Sequence, residues 1–79
     1  MKEYIAIFFT QSGAIKFDRK LKAKNIECKL MPVPRKLSSS CGICARFKFQ
    51  ADVLELVDEE VEKIYIIEDN KYQLVYSEE

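Results

Sequence analysis

The chain has 79 residues, close to half of them apolar, with thirteen cations against thirteen carboxylates and no histidine. That is enough for one core and one domain, 1–79, which buries only ~60% of its unfolded surface; the chain is too apolar to stay disordered. Lack of imidazole removes the commonest general base and transition-metal ligand and excludes histidine-dependent serine nucleophiles, and no apolar run approaches the ~18 residues of a membrane span.

The opening "MKEYIAIFF" has one Lys, an early Glu and no small-residue cleavage site. It reads as a first strand rather than a signal peptide, which places the chain in the cytoplasm. Tyr4, Ala6 and Phe8 share one parity and Ile5, Ile7 and Phe9 the other, as in a central strand buried on both faces or one that meets a partner. "TQSGAIKFDRKLKAKN" turns helical, with Ala14, Phe17 and Leu21 inward and Lys16, Arg19, Lys20, Lys22 and Lys24 in water. Thr10 or Ser12 can cap its start, and Asn25 its end. "IECKLM" alternates as a half-buried strand, with Ile26, Cys28 and Leu30 facing the core.

After a Pro-Val-Pro break, "GICARFKFQ" alternates again, with Ile43, Ala45, Phe47 and Phe49 on one face and Cys44, Arg46 and Lys48 on the other. "ADVLELVDEEVEK" has helical spacing, with Leu54, Val57 and Val61 inward. "KIYIIED", a turn at Asn70 and Lys71, and "YQLVYS" close the chain as a hairpin. The order β-α-β-β-α-β with a short extra C-terminal strand predicts a ferredoxin-like split α+β sandwich on an antiparallel sheet. Two helices on one face leave the other open. Tyr4 or Ile5, Tyr65, Tyr72 and Tyr76 would make it partly apolar, which points to a homodimer or another docked partner.

The balanced total hides an asymmetry. Residues 1–50 carry eleven cations and three carboxylates, and residues 51–79 carry two cations and ten carboxylates, so the halves differ as +8 and −8. A basic pole attracts an anionic ligand or partner. Nucleic acid is set aside as that partner, because the aromatics of "CARFKFQ", Phe47 and Phe49, share the core parity of Ile43 and Ala45.

The chemistry concentrates in "PVPRKLSSSCGICARFKF". Cys41 and Cys44 form half of a zinc ribbon, but Cys28 belongs to a core face and histidine is absent, so one chain supplies no fourth ligand; neither metal nor cofactor is expected. A thioredoxin-like pair needs a helix after the motif, whereas here the sequence alternates like a strand. Cys41 as a small buried hydrophobe is a third reading. In the fourth, Cys41 is a reactive thiol: Gly42 opens the backbone, Arg35, Lys36, Arg46 and Lys48 lie near in sequence, and Ser38, Ser39 and Ser40 offer hydroxyls.

Ala14, Leu21, Ile26, the Pro32-Val-Pro34-Arg35 run and the Ser38-Ser39-Ser40-Cys41-Gly42 run together carry a likeness. Over roughly three-fifths of its length the chain resembles the selenium/sulfur carrier protein-like family of small bacterial domains. Cys44 departs from the family's pattern. The resemblance implies a carrier or accessory protein rather than a stand-alone enzyme, holding a persulfide or selenopersulfide on Cys41 between donor and acceptor proteins. On this reading Arg35 steadies the thiolate, Ser39 and Ser40 donate hydrogen bonds, Gly42 gives access and Cys44 is a resolving thiol. The alternative is a non-catalytic module that docks through the open sheet face.

Overall fold

The central strand is the one whose sequence is apolar on both faces. In the computed structural model, which describes residues 1–39 and 41–78, β1 (Lys2–Phe8) lies in the middle of a five-stranded sheet. β2 (Cys28–Pro32), β3 (Ile43–Phe49), β4 (Val61–Glu68) and β5 (Lys71–Ser77) complete it in the order β2-β3-β1-β4-β5, every neighbour antiparallel. Tyr4, Ala6 and Phe8 of β1 join the cluster under the helix, while Ile5 and Ile7 face away from it with Cys44. The two expected parities thus bury two separate clusters.

Helix α1 (Gln11–Ala23) starts at Thr10, whose side chain accepts the Gly13 N–H at 3.0 Å. It stops in a Schellman arrangement: Asn25 is left-handed at φ 60°, its N–H reaches the Lys22 carbonyl, and Ile26 N–H reaches that of Leu21. Ala14, Phe17 and Leu21 are fully buried. Phe17 packs on Phe8 and Phe47 with centroids 5.1 and 5.5 Å apart. Each such ring contributes roughly 1.5–3 kcal/mol on burial, so this trio is the main tie between helix and sheet. Among the described residues no helix is long and apolar enough to cross a membrane.

The α+β class holds, with one helix rather than two. In place of the helix expected over 51–63, Val53–Leu56 makes a single 3₁₀ turn capped by Asp52, and β4 has begun by Val61. The ferredoxin-like sandwich needs a second full helix on the covered face, so that expectation is corrected. The helical spacing of Leu54, Val57 and Val61 is assembled from a 3₁₀ turn, the extended Val57 and the first residue of β4, and a bulge follows directly. Phe8 pairs with Val61 and Ile7 with Lys63, leaving Glu62 as an extra residue. The bulge brings Val61 and Ile64 to one face at a spacing of three within an extended strand. Leu54, expected inward, is 52% exposed, and Val53 and Leu56 are buried in its stead.

The β4–β5 turn lies one residue earlier than expected, at Asp69 and Asn70, both at positive φ, as a two-residue hairpin turn of the I′ kind requires. The turn register puts Tyr72 and Leu74 with Tyr65 and Ile67 on the face away from α1, and a second bulge at Val75 then sends Tyr76 toward the helix. That far face is not left bare. The connection between β2 and β3 lays Val33 and Leu37 against Ile5, Ile7 and Cys44, so the expected open face is partly covered by the chain itself, and Tyr4 and Tyr76 are not on it.

Candidate functional site around Cys41

Two prolines cut the β2 ladder, since neither supplies an N–H. Between them Val33 donates to the Gly42 carbonyl at 3.2 Å, a last rung that closes the connection at its neck. Within it Leu37 N–H turns back to the Pro34 carbonyl at 3.0 Å. Gly42, at φ 76°, turns the chain from Cys41 into β3. A Cβ there would touch nothing within 4 Å, so glycine is needed for its backbone conformation rather than for space.

Cys41 stands at this neck, beside the end of β1 and the start of α1, and is held through three of its own groups. Its N–H donates to Ser39 Oγ at 3.3 Å, its carbonyl accepts Gln11 Nε2 at 3.3 Å, and its thiol donates to the Ile43 carbonyl at 3.2 Å. Ser39 Oγ is also 3.6 Å from the sulfur and 3.5 Å from the Phe8 carbonyl. Its single hydrogen can go to only one of them. With a neutral thiol the carbonyl is the better acceptor; with a thiolate or a charged sulfur chain the sulfur is. The serine is therefore a switchable donor beside a half-buried sulfur.

The other two thiols differ in kind. Cys28 is 8% exposed, and burial, then the neighbouring Asp18 carboxylate, pushes its pKa up to about 12. Cys44 is fully buried against Ile5 and Ile7, its Sγ 3.7 Å from the Pro32 carbonyl. Burial first, then the nearby Cys41, pushes its pKa up to about 11 against the opposing charge of Arg46. Cys41 packs against the helix-side cluster and Cys44 against the far one. All three are free thiols.

Cys41, Ser39 and Gly42 lie together at the neck, with Ser39 Oγ against the Cys41 N–H and sulfur. Arg35 is exposed and lines a cleft on the far face with Arg46, Ile67 and Tyr72. Among the described residues it makes no hydrogen bond or ion pair to Cys41. Ser40 lies outside the described residues. Sequence reasoning missed Gln11 and the Phe8 carbonyl, both some thirty residues from their partners; a polar residue directly after a helix cap was the one available signal. Among the described residues no three Cys, Asp or Glu side chains converge as a metal site would require.

Glu60 is the remaining neighbour. Its carboxylate accepts the Thr10 hydroxyl at 3.3 Å, at the positive end of α1, and Gly13 leaves room for it. No curated protein and no solved structure matches the chain. The family model described as "Putative Se/S carrier protein-like" matches residues 3–73, which takes in both halves of the sheet, the helix and the Cys41 neck, so the chain belongs to that family.

Proposed function

We propose that the protein is a sulfur or selenium carrier and that Cys41 is the carrying thiol. The observation behind this reading is that Cys41, alone among the three cysteines, is not buried and sits beside a switchable hydroxyl. In the loading step the Cys41 thiolate attacks the outer sulfur of a donor persulfide, R–S–SH. A new S–S bond forms at Cys41, the donor's own S–S bond breaks, and the donor leaves as its thiolate. In unloading, an acceptor nucleophile takes the outer sulfur and Cys41 departs as thiolate. No external oxidant or reductant enters either step.

Ser39 turns its hydroxyl from the Phe8 carbonyl to the charged sulfur, and Gly42 leaves the approach open. Gln11 and the Ser39 oxygen fix the backbone on either side of the sulfur. Cys44 would act as a resolving thiol only after β3 opens locally, because it is buried on the other face. The partners are donor and acceptor proteins, and three free thiols suit a reducing compartment such as the cytoplasm. Competitive alkylation tests the assignment. With limiting iodoacetamide at neutral pH, Cys41 should be modified first, while Cys28 and Cys44 stay protected until the protein is unfolded. Equal labelling of all three, or Cys44 leading, would remove the reading.

A further inference from the structure

We infer that the sheet face opposite α1 binds single-stranded nucleic acid, with Tyr65 and Tyr72 as stacking platforms and the surrounding cations holding the phosphates. Nucleic acid was set aside because Phe47 and Phe49 point to the core, and Phe47 is indeed 1% exposed. The aromatics that matter are on other strands. The register set by the Asp69-Asn70 turn pairs Tyr72 with Ile67 and so puts it on the same face as Tyr65 of β4. Tyr65 pairs with Leu74 and Ile67 with Tyr72, so the two residues are diagonal neighbours across one strand pair, a spacing within reach of aromatic side chains. Both remain partly exposed. Neighbouring aromatics on a sheet are what successive unpaired bases stack on.

Charge supplies the second observation. Lys29, Arg46, Lys48 and Lys63 project from this face by strand alternation with Met31, Cys44 and Tyr65. Arg35 and Lys36 rise beside it on the 34–37 turn, and with Arg46, Ile67, Asn70 and Tyr72 they line a cleft of ≈ 340 Å³. Against these stand Glu3, paired to Arg46 at 2.7 Å, Glu27, and Glu62, the bulged residue beside Lys63. Among the described residues, Lys29, Arg35, Lys36, Lys48 and Lys63 take part in no ion pair. A chain of zero net charge thus places Arg35, Lys36 and Arg46 against Tyr72 and Lys63 beside Tyr65, with Lys29 and Lys48 farther along the same face. Phosphates of a single strand answer the cations, and its unpaired bases answer the rings by stacking.

The test is fluorescence anisotropy with a fluorescein-labelled oligouridylate of about twelve nucleotides, in about 50 and 200 mM salt. Saturable binding that weakens with salt is expected. Tyr72→Leu keeps apolar bulk where the ring packs and should weaken binding roughly tenfold. Lys36→Gln, on an exposed turn, should reduce the slope of log K against log salt by about 0.7. Cys41→Ser should bind as the wild type does, which separates this result from the fate of the carrier reading. Absence of saturable binding at the lower salt would overturn the proposal. So would displacement by polyglutamate at equal charge together with no effect of Tyr72→Leu, since that outcome describes a surface for acidic protein.

Discussion

Replacing Gly13 by alanine puts a methyl group where Glu60 already stands. An ideal Cβ there lies 2.7 Å from Glu60 Cβ and 2.8 Å from its Oε1, whereas carbons pack best at roughly 3.5–4.0 Å. The nearest atom is the root of the side chain rather than its flexible end. Its backbone is fixed as well: Phe9 N–H donates to the Glu60 carbonyl at 3.2 Å, and Glu60 N–H donates to Asp58 Oδ1 at 2.9 Å. Relief therefore moves the first turn of α1, which carries Gln11 and its bond to Cys41, or the turn leading into β4. Overpacking of this kind costs ~1–3 kcal/mol, and alanine returns at most ~1 kcal/mol of helix propensity. We expect a net loss of about 1 kcal/mol, read from the urea midpoint at unchanged slope, and a melting point lower by roughly 4–8 °C. In a Glu60→Gly background the same substitution should be neutral or stabilising. A stabilising Gly13→Ala in the wild type, or a loss that persists without the Glu60 side chain, would refute the reasoning.

Gly42→Ala should lose about 1–2 kcal/mol and Gly42→Asn distinctly less, because φ 76° is the only obstacle there; equal losses in urea denaturation would point to a steric cause instead. Ser39→Ala removes the hydroxyl that holds the Cys41 N–H and faces its sulfur; alkylation of Cys41 at neutral pH should slow a few-fold, with about 1 kcal/mol of stability lost. The buried thiols set an alkaline limit. Cys44 titrates near 11 when folded against 9.0 ordinarily, so the folded state keeps its proton while the unfolded chain gives it up. Stability is then full below pH 9 and falls as pH rises from there toward 11, by at most about 1.4 kcal/mol per unit for this group. Urea curves at rising pH in reductant should show that fall, and it should be shallower in Cys44→Ala.

How far the sequence could be read depended on whether the governing contacts were local. β1 declared itself central because Tyr4, Ala6 and Phe8 on one parity and Ile5 and Ile7 on the other leave it no wet side. α1 and the inward set of β2 followed from uninterrupted periods, and Cys28 took its buried place with them. The second helix failed because Leu54, Val57 and Val61 have helical spacing only along the chain: a 3₁₀ turn, an extended residue and the first residue of β4 supply them, and Val53 and Leu56 are buried where Leu54 is exposed. The bulge at Val75 moved Tyr76 away from Tyr72.

The Cys41 neighbourhood was legible as a cluster of types and not as a set of contacts. Ser39 and Gly42 lie next to it in the chain, so local geometry sufficed. Gln11 and the Phe8 carbonyl arrive only when β1 pairs with β3 and delivers the start of α1 to the neck. Arg35 is six residues from Cys41 in sequence, but the 34–37 turn carries it to the cleft on the far face. Among the described residues it makes no hydrogen bond or ion pair to Cys41, so proximity in sequence did not by itself set a contact. Similarly, the cover that Val33 and Leu37 give to Ile5 and Ile7 depends on where a proline-bounded connection lands.

The central claim is that sulfur resides on Cys41. The direct measurement is intact-mass and peptide-mapped mass spectrometry after incubation with cysteine and a pyridoxal-phosphate cysteine desulfurase. The account predicts a gain of one sulfur atom on the peptide bearing Cys41, reversed by excess thiol because persulfides exchange. The gain should be lost in Cys41→Ser, with its far-UV spectrum unchanged, and retained in Cys28→Ala and Cys44→Ala. Sulfur found on another cysteine, or none on a folded wild-type chain with any desulfurase tried, would contradict it.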